Sequence, residues 1–250
     1  MALTIHRIDD AYLCSGPIDL RLHAPHAFTI AAAGDGELRV RFATEVAWRS
    51  CAAAVIAPGV AHELELRGDA ATLFVGPETR DGRRLVRRTI LSDAATPLAA
   101  EPSLLARMLV EQYASASAPR LLDRRVRDVL RRMRGVHGSR ISVPELAAAV
   151  ALSPSRLVHL FHEQTRTTIK RYALWLRLLA VIDAMHRETQ VTQIAYRFGF
   201  ADPSHLSRTF RTMLGVTPTD VVHAMPSRHE RSISVPANDR SIPMALVRRT

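Results

Sequence analysis

The chain has 250 residues, 47% hydrophobic and 5% aromatic, with a net charge of +10, enough for two ordinary domains with real cores. No stretch of eighteen uncharged apolar residues occurs, which excludes a simple membrane-spanning helix. No basic start runs into an apolar segment, so no signal peptide is expected. Cys14 and Cys51 stand in no disulfide or metal pattern and fit a reducing compartment, with the cytoplasm as the default.

Residues 1–95 read as short strands. In HAFTIAAAGDGELRVRFATEVAWRS, the Gly34–Gly36 turn precedes an alternation of Leu38, Val40 and Phe42 with Glu37, Arg39 and Arg41. That period of two belongs to a strand with one buried face. AAAVIAPGVAHELEL is a strand, a Pro58-Gly59 turn, and a second alternation of His62, Leu64 and Leu66 with Glu63, Glu65 and Arg67. ATLFVGP is an apolar strand stopped by Gly76-Pro77. Short strands at even spacing predict a barrel or double sheet. DGRRLVRR (Asp81–Arg88) is a charged connection.

From Pro97 the period becomes helical. Leu104, Leu105, Met108 and Leu109, with Val110 and Tyr113 close by, follow the spacing of a helix with one apolar face, either a dimer seam or an inter-domain brace. Ser115–Arg120 reads as linker. The divisions that follow are 1–95, 96–120, a helical 121–225, and a tail 226–250 without period that is expected to be disordered.

A repeat then appears with an offset of 48 to 49. LAAAVALSPSRLVHLF from Leu146 aligns with IAYRFGFADPSHLSRTF from Ile194, with Ala201 inserted in the second copy. Ala147 and Ala195 are small enough for close helix approach. Ala151 and Gly199 mark the corners, and Gly tolerates a left-handed backbone there. Ser153 and Asp202 can cap a helix start, and Pro154 and Pro203 follow at the position that needs no N–H. Leu157, Leu160 and Phe161 face inward in one copy, and Leu206, Phe210 and Leu214 in the other. Each copy is a helix-turn-helix.

The faces left free carry Ser155, Arg156, Val158, His159 and His162 in the first copy, and Ser204, His205, Ser207, Arg208 and Arg211 in the second. These groups suit base edges and phosphates; one such face alone is equally a solvated helix surface. Charge favours the first reading. Residues 1–119 hold 12 Arg against 14 acids, whereas 120–225 hold 16 Arg and one Lys against 8 acids, so the basic half is the one expected to meet a polyanion. Between the copies, Ile169–Glu188 is a Gly- and Pro-free run of 20 residues, about 30 Å as a helix. One turn of B-DNA is about 34 Å, so this rod would set two reading helices in successive major grooves of double-stranded DNA.

Ile194, Ala195, Gly199, Phe200, Asp202, Ser204, Ser207, Arg208, Phe210, Gly215 and Pro218, with Tyr172, Arg177 and Ala180 before them, resemble the AraC/XylS family of bacterial transcription regulators over about residues 121–222. The resemblance implies an α+β two-domain protein. A cupin-like β-barrel with a following helix would precede an all-α double helix-turn-helix joined by a long linker helix. It places the base-reading positions at Ser155, Arg156, Val158 and His159, and at Ser204, His205, Ser207 and Arg208. It also implies a regulator, more often an activator, that works with RNA polymerase and a small-molecule effector, with a homodimer as one assembly. Two departures stand out. The Gly expected after the first reading helix is Arg166, and the Tyr-Arg expected after the final Pro is Val221-Val222.

PGVAHEL (Pro58–Leu64) resembles the second cupin motif, which makes His62, with His23 and His26, the candidate effector or metal residues. A metal needs three or four converging ligands, and the histidine spacing here differs from that of metal cupins, so neither metal nor cofactor is assigned. The two cysteines read as structural rather than as a thiol sensor. The chain is thus expected not to be an enzyme. Two alternatives remain: a cupin-type metalloenzyme fused to a DNA-binding half, and an effector-independent DNA-binding protein.

Overall fold

The computed structural model describes residues 3–9, 11–86, 88–94, 96–99, 101–116, 121–137, 141–188 and 190–224. The expected tail at 226–250 and most of the expected linker at 117–120 lie outside them. The first half is two antiparallel sheets. The six-stranded sheet has the order β1 (Thr4–Ile8), β2 (Ala11–Ser15), β9 (Ala70–Val75), β4 (Phe28–Ala33), β7 (Ala53–Ile56), β10 (Ile90–Ser92). The four-stranded sheet has the order β3 (Ile18–His23), β8 (His62–Arg67), β5 (Glu37–Phe42), β6 (Arg49–Cys51).

Patterning explains the layers. In β5 and β8, Leu38, Val40, His62, Leu64 and Leu66 turn inward and are buried, as period-two alternation demands. On the outer face Arg39 and Arg41 meet Glu65 and Glu63. β4 and β9 are buried at every position, because the six-stranded sheet is covered on both sides. Tyr12, Ala31, Ala54, Ile56 and Phe74 face the four-stranded sheet and the helical half. Leu13, Ile30, Val55 and Leu73 face α1 (Pro102–Gln112).

That helix forms where its period lies, with Glu101 accepting from the N–H groups of Ser103 and Leu104. Its apolar face, Leu105, Leu109, Val110 and Tyr113, is spent on the six-stranded sheet. The face that looked like a dimer seam therefore covers the six-stranded sheet.

The helical half runs α2 (Arg124–Gly135), α3 (Val143–Ala148), α4 (Pro154–Thr165), α5 (Ile169–Met185), α6 (Val191–Arg197), α7 (Pro203–Leu214) and α8 (Pro218–Ala224). The linker helix α5 is 17 residues long, about 26 Å, and ends three residues sooner than its composition suggested. Leu146, Leu157, Phe161, Tyr172, Ile194, Leu206 and Phe210 form one core with the inner face of the six-stranded sheet. The two halves thus share a hydrophobic interior.

Candidate nucleic-acid interface

Both helix-turn-helix units are built as the repeat required. Ala147 and Ala195 are buried. The corners take left-handed backbones, Ala151 at φ 53° and Gly199 at φ 74°. Ser153 accepts from the Arg156 N–H at 3.3 Å and Asp202 from the His205 N–H at 2.7 Å, each followed by proline in the first helical turn. After α4 and α7 the backbone turns left-handed again, at Arg166 (φ 58°) and Gly215 (φ 76°). The first unit therefore keeps the geometry of the second with side chains at both left-handed positions. Each such residue costs on the order of 1 kcal/mol.

On α4 the expected face is open: Ser155, Arg156, Val158, His159 and His162 are all exposed. On α7, Ser204, Arg208 and Arg211 are exposed, whereas His205 and Ser207 are half-buried. The His205 ring lies edge-on to Phe200, centroids 5.4 Å apart, and its Nδ1 accepts from the Ala201 N–H. His205 therefore also braces the corner. Arg177 of α5 donates to the Gly199 carbonyl at 3.3 Å and stacks over Phe200; burial lowers its pKa from the ordinary value.

The strand half grips the second unit, a feature that the sequence did not reveal. The Ala24 N–H donates to the Thr212 carbonyl and the Arg21 N–H to the Gly215 carbonyl, both at 2.9 Å. A Cβ on Gly215 would stand 2.7 Å from the Arg21 carbonyl oxygen, so this glycine serves close approach as well as its left-handed turn. Asp183 near the end of α5 accepts from Tyr12 Oη at 2.7 Å and Arg7 Nη1 at 2.6 Å. Between these contacts lies a cavity of about 360 Å³. Its walls include Ile5, Cys14 and Phe74 from the strands and Trp175, Leu214 and Val221 from α5, α7 and α8. Val221, a departure from the family pattern, is thus buried at the domain boundary.

The three candidate histidines are all buried but do not converge as one site. His23 and His62 are register partners across β3 and β8, centroids 4.3 Å apart. Their Nδ1 atoms pair with the carbonyls of Arg21 and Val60, each at 2.8 Å. Burial pushes their pKa values down to about 3 and about 4, so both rings are neutral. His26 instead meets Glu78 at 2.9 Å and packs against Tyr172 and Trp175. Among the described residues no three His, Cys, Asp or Glu side chains gather as a metal site. Burial raises the Cys14 thiol to about 12 and the Cys51 thiol to about 11, far from the thiolate that a reactive cysteine needs.

Residues 146–224 match the helix-turn-helix domain family. This stretch is a helix-turn-helix domain. Two of the similar proteins are named as transcriptional activators. Transcriptional activator RhrA of Rhizobium meliloti (strain 1021) is 39% identical over 83 residues, 32% of this chain and 26% of that one. HTH-type transcriptional activator RhaS of Escherichia coli (strain K12 / DH10B) is 38% identical over 77 residues, 30% of this chain and 28% of that one. The chain thus spans about a quarter of the length of the curated relatives it matches. The whole fold is similar to that of ToxT from Vibrio cholerae, with a TM-score of 0.55 at 11% identity over 91% of this chain and 100% of that one. Another ToxT structure, with a TM-score of 0.54, is described as bound to an unsaturated fatty acid; it is 12% identical over 90% of this chain and 96% of that one. Among the described residues no helix is long and apolar enough to cross a membrane.

Proposed function

We propose that the protein is a cytoplasmic, sequence-specific DNA-binding transcription regulator, an activator that responds to a small-molecule effector. The observation that carries the reading is the pair of capped helices, α4 and α7, presenting Ser155, Arg156, Val158 and His159, and Ser204, Ser207, Arg208 and Arg211, from the basic half of the chain. Arg208 and Arg156 would bridge guanine O6 and N7, Val158 would meet a thymine methyl, and the serines would bond base edges or phosphates. His205 would contribute from the corner it braces. The relatives' names favour activation, and RNA polymerase is the partner that activation requires. A homodimer, if formed through α1, would use its outer face at Leu104, Arg107 and Met108, since its inner face is occupied.

The effector would sit in the cavity between the halves rather than deep in the barrel. Its walls are mostly apolar, and its charged residues, Asp19, Arg21 and Asp220, are exposed. That lining suits a mostly apolar molecule, and an unsaturated fatty acid, as in fatty-acid-bound ToxT, is the probe to try first. Because α7 and α8 supply part of the wall, ligand binding would favour one arrangement of the second reading unit over another.

Two measurements test this. Anisotropy of the full chain on DNA from upstream of its own and neighbouring genes should give tight binding that a scrambled duplex lacks and that weakens with salt. Absence of binding to any duplex at low salt would overturn the reading. The chain has two tryptophans, so Trp48→Phe leaves Trp175, in the cavity wall, as sole reporter. An unsaturated fatty acid should change its emission saturably; unchanged emission would remove the effector assignment while leaving DNA binding intact.

A further inference from the structure

A second opening between the halves has the opposite chemistry. Its volume is about 320 Å³, and its lining holds Arg83 of the sensor half and Arg127, Arg131 and Arg134 of the α2 region, with Glu78, Leu122 and Leu130. Four guanidinium groups thus face one carboxylate. Glu78 is already engaged: its carboxylate is buried, pairs with His26 at 2.9 Å and lies 3.5 Å from Arg134. Burial would raise its pKa, but His26 and Arg134 hold it below the ordinary value. Arg131 also has an exposed partner, Asp128 at 2.6 Å on its own helix.

The other two arginines are less committed. Arg83 donates Nη1 to the Glu78 backbone carbonyl at 3.2 Å, and its buried Nε has no partner among the described residues. Arg127 is exposed. Arginine keeps its charge at any physiological pH, so the cluster cannot relieve its repulsion by losing protons. An anion between the forks relieves it, and planar N–H pairs match phosphate oxygens two at a time.

We infer that this cleft is a phosphate-binding site, independent of the apolar cavity and of the reading helices. It takes a phosphate-type polyanion, and the opening leaves room for more than one phosphoryl group. Arg83 comes from the sensor half and Arg127 from α2, so the bound anion ties the two halves together. The phosphate has two sources, a free phosphorylated metabolite or the backbone of bound DNA.

The test uses the full chain and pyrophosphate as the probe, followed by calorimetry at low salt. Saturable binding is expected, weakened about tenfold or more by the double substitution Arg83→Gln/Arg127→Gln, in keeping with the strength of charge-assisted forks. Arg39→Gln/Arg41→Gln removes the same charge from the outer face of the four-stranded sheet and should leave binding unchanged. Arg83→Lys/Arg127→Lys keeps the charge but not the forks, and should fall between wild type and the Gln pair. Circular dichroism of each variant checks its fold. DNA binding by the Gln pair separates the sources. Unchanged DNA affinity assigns a free metabolite. A uniform loss over all sequences, with the salt slope reduced by about 2, assigns a backbone phosphate. Absent pyrophosphate binding with unaltered DNA binding overturns the site, as does equal weakening by the Arg39/Arg41 control.

Discussion

The two helix-turn-helix units share one plan but stand in different circumstances. The first has Ala151 and Arg166 at its left-handed turns and an open face along α4. The second has Gly199 and Gly215 there, and Arg21 of β3 and Ala24 just after it hold the C-terminal end of α7 by two backbone hydrogen bonds. At Gly215 the left-handed glycine lies where the strand half presses against the helix end, whereas Arg166, which lines an opening with Pro25 and Gly59, keeps a side chain at a modest energetic cost. The comparison teaches that one repeat can diverge at its turns and in its backbone tether without losing its shared geometry.

The largest effect is expected at the tether. Gly215→Ala places a Cβ against the Arg21 carbonyl and strains a left-handed residue. It should cost about 2 kcal/mol or more in urea unfolding, while Arg166→Gly, its counterpart, should be neutral or stabilising by up to about 1 kcal/mol. Equal effects at the two sites would erase the distinction. Next comes the DNA face: Arg208→Ala should lose roughly 1–3 kcal/mol on the true site and relax base preference there. Unaltered preference would remove Arg208 from the reading set. Smaller still are the caps. Asp202→Ala should cost about 1 kcal/mol and Ser153→Ala somewhat less, since the Asp202 bond is shorter and charged; the reverse order in thermal melts would argue against a tighter second unit.

A pH effect sharpens the contrast from the side of the strands. His23 and His62 titrate at about 3 and about 4 in the folded chain against about 6.5 unfolded. The unfolded state therefore takes up protons first, and stability falls as pH drops below about 6.5. His23→Gln/His62→Gln should flatten that dependence between pH 6.5 and 4. An unchanged slope would place the acid sensitivity elsewhere.

Much of the helical half was legible because its signals are local. Caps, prolines, corner residues and the 48-to-49 offset sit within a few residues of what they determine. The alternating strands β5 and β8 were legible for the same reason. β1, β2 and β3 were not: their buried positions do not alternate cleanly, and their burial depends on helices far along the chain. The β3–α7 tether joins main-chain atoms of Arg21 and Ala24, so no side-chain pattern encodes it; only Gly215 leaves a trace. The dimer-seam reading of α1 was open for a like reason, since an apolar face does not say which surface it will cover. The arginine cleft depends on Arg83 meeting residues more than forty positions away, which only the fold brings about. The half-buried setting of His205 arises from Phe200, a neighbour that the repeat displayed but whose packing it did not.

The central claim is that both α4 and α7 read base sequence. The most direct measurement is selection of bound duplexes from a random library by the full chain, repeated with Arg156→Ala and Arg208→Ala. Two half-motifs about one helical turn apart are predicted, each variant blurring a different one. No enriched motif, or enrichment that neither substitution alters, would contradict the account.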